Sequence, residues 1–420
     1  MVPKLKTGAK EKIDRLLHEV VSKRQVPAVV YGATNVEGPI YLNQDGDVYF
    51  DDPSRGKIDE DTTMALYSMT KFITSATALQ LVDSGLLSLD NPDTIAKYLP
   101  DLVSLPLIEG YNANDTPILT KPKNKITLRM LLSHSAGTGY THRERILDKW
   151  IEQKPRIPLF EPGASIESLL TPLIYEPGTT WRYGNALDWV GVLVERASGL
   201  DLENYFAQYI FQPCNVTSMT FYPTKQVQEH QMPMSIRDAE GKIQVPRDGG
   251  IGFRRPKTPA EVTFLSGGAG LYGTQKDYLA ILRGILRSDP RNRGCLRDNE
   301  KASLSEQMFM EMFKPSLPSG EGYDGSRRLA DFVAEANYAH PIPTEDTVNH
   351  SVACMINLEK WTDRRQAGSG CWSGTGRTQW WIDPTTGVAG ICATQLRCGT
   401  PDPWYQVYVD YEKALYNSIE

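Results

Sequence analysis

The stretch Tyr67-Ser68-Met69-Thr70-Lys71-Phe72-Ile73-Thr74-Ser75-Ala76-Thr77-Ala78-Leu79-Gln80-Leu81 decides how this chain is read. Phe72, Ile73, Ala76, Leu79 and Leu81 recur with helical spacing until Gly85 interrupts, which predicts a helix beginning near Ser68. Ser68 stands three residues ahead of Lys71, so the helix carries a hydroxyl and an amine on one face, one turn apart. A serine hydroxyl is a weak nucleophile until a base takes its proton, and a partly desolvated lysine is such a base. The same four residues also describe a solvated surface pair, with Ser68 as a plain helix cap. Company elsewhere in the chain has to decide.

That company exists. Trp181-Arg182-Tyr183-Gly184-Asn185 follows downstream, and Cys371-Trp372-Ser373-Gly374-Thr375-Gly376 precedes a strand-like Gln379-Trp380-Trp381-Ile382. With these three elements in this order the chain resembles the serine β-lactamase and penicillin-binding-protein superfamily, whose signature is Ser-x-x-Lys, then Tyr-x-Asn, then Lys-Thr-Gly. The resemblance runs from about residue 26 to about residue 411. It includes Leu131-Leu132-Ser133-His134-Ser135-Ala136-Gly137, Glu176-Pro177-Gly178 and Gly267-Gly268-Ala269-Gly270-Leu271-Tyr272. Within the superfamily the chain is most similar to family VIII carboxylesterases and the fungal lovastatin-type acyltransferases. The latter share Leu187-Asp188-Trp189, Leu193 to Ala197 and Gly199 to Glu203.

One departure matters more than the matches. Trp372 stands where β-lactamases carry the lysine of Lys-Thr-Gly, and that lysine supplies positive charge for a substrate carboxylate. An indole offers an apolar wall and a single donor instead. The change points toward neutral esters or thioesters and away from β-lactams.

The resemblance implies Ser68 as nucleophile, with Lys71 and Tyr183 moving its proton. A phenol is a poor base in water, but a neighbouring cation favours its ionised form. The backbone N–H groups of Ser68 and Thr375 would form an oxyanion hole, for which Ser373, Gly374 and Thr375 are suitably small. Trp372 would be a specificity wall, and Asn185 would hold Lys71 or a substrate carbonyl. Plainer roles stay open beside these: a structural ion pair for Lys71, a half-buried aromatic for Tyr183, a turn or cap residue for Asn185, and core packing for Trp372 and Cys371. Tyr140, Tyr175, Trp181 and Tyr272 are further candidates for the cleft lining. His134 reads as a structural hydrogen-bonding residue. The other histidines have no acidic partner at a telling spacing, and no Gly-x-Ser-x-Gly elbow is present, which disfavours a Ser-His-Asp triad.

Composition bounds the rest. With 420 residues, 23% of them charged and 40% hydrophobic, this is an ordinary globular chain, large enough for two lobes. Its net charge of −6 and the lack of a basic tract argue against nucleic acid. No apolar run suits a membrane helix or a signal peptide, and the six dispersed cysteines suit neither a disulfide framework nor a metal site. A cytoplasmic enzyme without metal or cofactor is expected.

Ile13, Leu16, Leu17, Val20 and Val21 form one stripe of an N-terminal helix, and residues 28–33 and 38–42 read as two strands. Helical pattern marks 128–133, 187–197, 276–286 and 304–313. Strands follow at 351–358, 378–382 and 388–395, and a helix at 403–417. The fold expected is α/β (α+β) and β-lactamase/transpeptidase-like. Residues 1–90 and 330–420 would form an antiparallel sheet flanked by helices, and 91–329 an inserted, mostly helical lobe. A long excursion over 227–262 would lie at the pocket mouth.

The activity this implies is acyl transfer from an ester or thioester donor to an alcohol of a secondary metabolite, or to water. An acyl carrier protein is one candidate donor. Two other readings remain: a lyase, isomerase or cyclase using Lys71 and Tyr183 for proton transfer alone, and a β-lactamase or D-amino-acid peptidase. A purely binding protein fits least, since Ser68, Lys71 and Tyr183 are all present.

Overall fold

Both ends of the chain build one sheet. The computed structural model describes residues 2–246, 254–295, 302–318, 320, 322–336, 341–399 and 401–420. Its principal elements are α1 (Ala9–Ser22), β1 (Ala28–Thr34), β2 (Pro39–Gly46), α2 (Thr70–Asp83), α3 (Ala186–Ser198), α4 (Gln275–Leu286) and α5 (Gly325–Ala336). Then come β3 (Val348–His350), β4 (Met355–Asn357), β5 (Gly370–Gly374), β6 (Thr378–Asp383), β7 (Val388–Ala393) and α6 (Trp404–Tyr416). The seven strands lie in the order β2-β1-β7-β6-β5-β4-β3, every pair antiparallel. Every residue of β1, β6 and β7 is buried, so helices cover both faces of the sheet centre.

Two neighbouring tryptophans show how the layers are fixed. Successive strand residues point to opposite faces. The Trp380 ring lies 4.2 Å from that of Phe72 on α2 and 6.3 Å from that of Tyr278 on α4. The Trp381 ring meets Tyr408 and Tyr411 of α6, each at 6.0 Å. On that second face α6 also carries Glu412, fully buried and bonded by Arg364 and Arg365.

The expected α1 stripe buries Ile13, Leu17 and Val20. Four features differ from the sequence reading. Residues 351–358 are not one strand: the Ser351 hydroxyl accepts the N–H groups of Ala353 and Cys354, and this turn separates β3 from β4. The middle of the chain contains a hairpin, Leu107–Tyr111 with Pro117–Thr120, closed by the Asn112 side chain accepting from the Asn114 and Thr116 amides. Helix α5 was not foreseen. The 227–262 excursion includes a small sheet, in which Ser235–Arg237 pairs with Ile243–Gln244 and, in parallel, with Leu396–Arg397. Residues 247–253 of that excursion lie outside the described residues. Among the described residues no helix is long and apolar enough to cross a membrane.

Candidate active site

Ser68 does not cap its helix. It sits in a short 3-10 turn, Tyr67–Met69, that runs into α2, and Tyr67 ahead of it has φ +46°. For an aromatic residue this left-handed backbone is strained, and such strain persists only where the surroundings hold it. The surroundings here are buried on all sides. Apart from Gln80, residues 70–81 of α2 have almost no exposure, which explains why the run carries little amphipathic contrast.

Lys71, 3% exposed, therefore brings its amine into a dry setting. Nζ donates to the Gly268 carbonyl at 2.8 Å, to the Tyr140 hydroxyl at 3.0 Å and to Ser68 Oγ at 3.3 Å. An ammonium has three donors, and these three acceptors occupy them. Tyr183 OH donates to Ser68 Oγ at 2.6 Å, and Lys71 Nζ lies 4.8 Å from the centre of the Tyr183 ring. One hydroxyl thus meets both proton-handling groups. The shorter contact belongs to the phenol.

The strand side approaches through a glycine. A Cβ on Gly374 would stand 2.4 Å from the Leu66 carbonyl and 2.5 Å from Thr378 Oγ1, so only glycine lets the end of β5 press against the turn that carries Ser68. Thr375 follows at the exposed strand end, and Ser373 is buried. Trp372, 8% exposed, packs against Tyr183 at 5.4 Å and Phe332 at 6.1 Å between ring centres, and edge-on against His350.

Asn185 makes no hydrogen bond to Ser68 or Lys71. It precedes α3 without a side-chain capping bond, Oδ1 is buried with no partner, and it is not among the acceptors of Lys71. His134 makes its structural bonds through its backbone. Its carbonyl accepts from Tyr175 OH at 2.8 Å and Arg182 N at 3.1 Å, while its imidazole lies against the Tyr183 ring at 4.9 Å. Burial, then His350 and Lys71, push the pKa of that imidazole well down, so it is neutral. Tyr175 consequently sits behind the site. Tyr272, with Tyr67, encloses the Arg255 guanidinium, at 4.5 and 4.8 Å.

Three participants escaped the sequence reading. The first is the Gly268 carbonyl. The second is Asp188, fully buried on α3, whose Oδ1 accepts from Ser266 Oγ at 2.5 Å and from the Gly268 amide at 3.0 Å. Burial raises the pKa of the Asp188 carboxyl, and Lys71 and these hydrogen bonds oppose the rise. The third is Phe332 on α5, whose ring lies 4.9 Å from that of Tyr183 and stacks on Trp372. Two of them had a signal: Asp188 is a charge flanked by the apolar Leu187 and Trp189, and Leu329, Phe332 and Val333 carry i, i+3, i+4 spacing. The mouth beside Tyr183 is a cavity of about 570 Å³ lined by Arg143, Arg182, Phe332 and their neighbours.

Comparison with known proteins agrees with this geometry. Residues 13–403 match the family model described as Beta-lactamase. The chain is 30% identical over 404 residues to monacolin J acid methylbutanoyltransferase of Aspergillus terreus, covering 93% of this chain and 91% of that protein. It is 28% identical over 389 residues to lovastatin esterase of Penicillium rubens, covering 91% and 92%. The unliganded structure of simvastatin synthase from Aspergillus terreus superposes with a TM-score of 0.82 at 27% identity, covering 98% of each chain.

Proposed function

This chain belongs to the beta-lactamase family, and we propose that it moves an acyl group from an ester or thioester donor, through an acyl-enzyme on Ser68, to an alcohol of a secondary metabolite or to water. One observation carries the reading: Ser68 Oγ lies 2.6 Å from Tyr183 OH and 3.3 Å from Lys71 Nζ. Relatives named as a methylbutanoyltransferase and an esterase fit one covalent intermediate resolved by two nucleophiles.

The contacts at Ser68 support the following steps. Tyr183 first loses its proton, and the Lys71 ammonium beside it favours the phenolate; Ser68 Oγ then attacks the donor carbonyl and passes its proton to that phenolate oxygen. The oxyanion is received by the N–H groups of Ser68 and Thr375. The C–S or C–O bond breaks, the leaving group takes the proton from Tyr183, and acyl-Ser68 remains. An alcohol or water then attacks the acyl carbonyl, its proton passing back by the same path to Ser68. Ser373, Gly374 and Trp372 wall the ester side, with no cation there for a carboxylate. Asn185, at the start of α3, offers its side-chain amide to a substrate carbonyl.

In this reading residues 1–90 and 330–420 form the sheet lobe and 91–329 the other lobe. The donor is a small thioester or an acyl carrier protein, and the enzyme works in the cytoplasm. The test is intact-mass measurement of the wild type and Ser68→Ala with a panel of acyl thioesters, with and without a bulky hydrophobic alcohol. The wild type should gain one acyl mass that the alcohol discharges as ester, and Ser68→Ala should gain none. An adduct that survives the substitution, or none from any donor, would sink the reading.

A further inference from the structure

We propose that Arg143 is a specificity-determining residue, reading an anionic oxygen group (carboxylate or phosphate) on a substrate whose ester reacts at Ser68. The proposal rests on the acyl-enzyme reading above. Its starting point is the ladder of rings at the mouth. Trp372 stacks on Phe332 with an interplanar angle of 10°, and both rings pack against Tyr183. The Arg143 guanidinium sits over this ladder, 4.9 Å from the Phe332 ring centre and 5.9 Å from that of Tyr183.

Rings hold a guanidinium without neutralising it. A cation over an aromatic face is attracted to the ring quadrupole, and the in-plane N–H donors stay available to fork onto an anion. Arg143 is exposed, and no carboxylate among the described residues forms an ion pair with it. Its neighbours in the mouth are differently placed. Arg328 donates to Asp324 at 2.8 Å, and Glu144 is a half-buried acid whose pKa burial raises against the pull of Arg182, Arg143 and Arg328. Arg143 is therefore the guanidinium that aromatic faces orient toward a guest.

The rest of the chain explains the use of such a group. Trp372 removes the cation from the strand side of Ser68, so an acid group on the substrate has no partner there. Tyr183 lines the same cavity as Arg143 and touches Ser68, so one residue joins the Arg143 cavity to the reacting hydroxyl. The two sides of the cleft then divide the work. Trp372 accepts the neutral reacting ester, and Arg143 accepts a distal acid. The anion belongs either to the acceptor, as a carboxylate, or to the donor, as a phosphate.

Matched pairs distinguish these sources. One pair is an acceptor alcohol with a free carboxylate and its methyl ester, each with the same uncharged donor. The other is a coenzyme A thioester and the corresponding N-acetylcysteamine thioester, each with the same uncharged acceptor. The readout is the charged-to-neutral ratio of kcat/KM in wild type, Arg143→Ala and Arg143→Lys. Arg143→Ala should lower that ratio about 10- to 100-fold in one pair, which identifies the source, and Arg143→Lys should keep part of it. Ratios within about twofold of wild type in both pairs overturn the proposal, including the case where charged and neutral substrates lose rate equally. Acyl-adduct formation on the wild type by an uncharged activated ester is read in parallel. If it is absent, the Ser68 reading fails and takes this one with it. If it is present with unchanged ratios, only the role of Arg143 fails.

Discussion

Asp188 and Lys71 do not touch: the Gly268 backbone stands between them, giving its N–H to the carboxylate at 3.0 Å and its carbonyl to the ammonium at 2.8 Å. A Cβ on residue 268 would fall 2.5 Å from Asp188 Oδ2, so glycine is what permits this contact. The buried acid thus fixes the carbonyl that holds the lysine, and its charge opposes that of Lys71 across a dry gap. Asp188→Asn keeps the shape and removes the charge. It should lower kcat/KM by about 10²-fold, with the loss in acylation and little change in thermal stability. Acylation within twofold of wild type would leave Asp188 a structural acid.

Lys71 and Tyr183 both contact Ser68 Oγ, and in the proposed mechanism they serve one proton path. Lys71→Ala and Tyr183→Phe should each slow acylation of Ser68 by about 10²- to 10⁴-fold. The double variant should lose hardly more than the worse single one, since groups acting as a unit are far from additive. Stopped-flow release from an activated ester measures this. Additive losses would place Tyr183 in a different step.

In the proposed function Trp372 sets the electrostatic character of the strand side. Trp372→Lys places an ammonium where the superfamily reads a carboxylate, so turnover of acidic β-lactams relative to neutral esters should rise about tenfold or more. Nitrocefin hydrolysis against butyrate ester hydrolysis gives the ratio. Robust cephalosporin turnover by the wild type would contradict the role given to the indole.

Glu412, on the far face of the sheet, is a source of acid stability. Burial alone would raise the pKa of Glu412. The charges of Arg364 and Arg365, with bonds from Arg365 Nε at 2.8 Å and Nη2 at 2.7 Å, overcome it and bring the value to about 2. A lowered folded-state pKa stabilises above the unfolded-state value, and that stabilisation is lost as pH falls through about 2. Glu412→Gln leaves two buried guanidinium groups facing a neutral amide, and should cost about 3–5 kcal/mol at pH 7. Urea denaturation at pH 7 and pH 3 should show the variant losing less between the two than the wild type does. Equal losses would mean that other carboxylates govern acid unfolding.

What was legible in the sequence was local. Ser68 and Lys71 share a helical turn, so their meeting follows from spacing, and Tyr183 entered through a motif of its own. The sheet was legible because both ends of the chain carry strand patterns, and β1 does pair with β7. The carbonyl of Gly268 left no trace, because a backbone oxygen has no letter. Asp188 was read only as part of a helix, since its inward direction has meaning once Ser266 and Gly268 cross over it. Helix α5 lay hidden behind its charged residues, although Leu329, Phe332 and Val333 carry the period. Asn185 suited a cap as well as a ligand, and the structure gives it no capping bond.

The pairing of β1 with β7, and the pressing of Gly374 on Leu66, also set a timetable. Residues near position 30 wait for partners near position 390, a separation that makes closure slow compared with the growth of local helices. While the chain is being synthesised, Ser68 and Lys71 are made well before Gly370–Gly374, the strand that faces them. In the proposed acyl-enzyme reading, a nascent chain that already holds Ser68 stays silent until the groove that would make the serine reactive has been made. Arrested nascent chains ending before Gly370 should resist an activated-ester probe that marks the released protein.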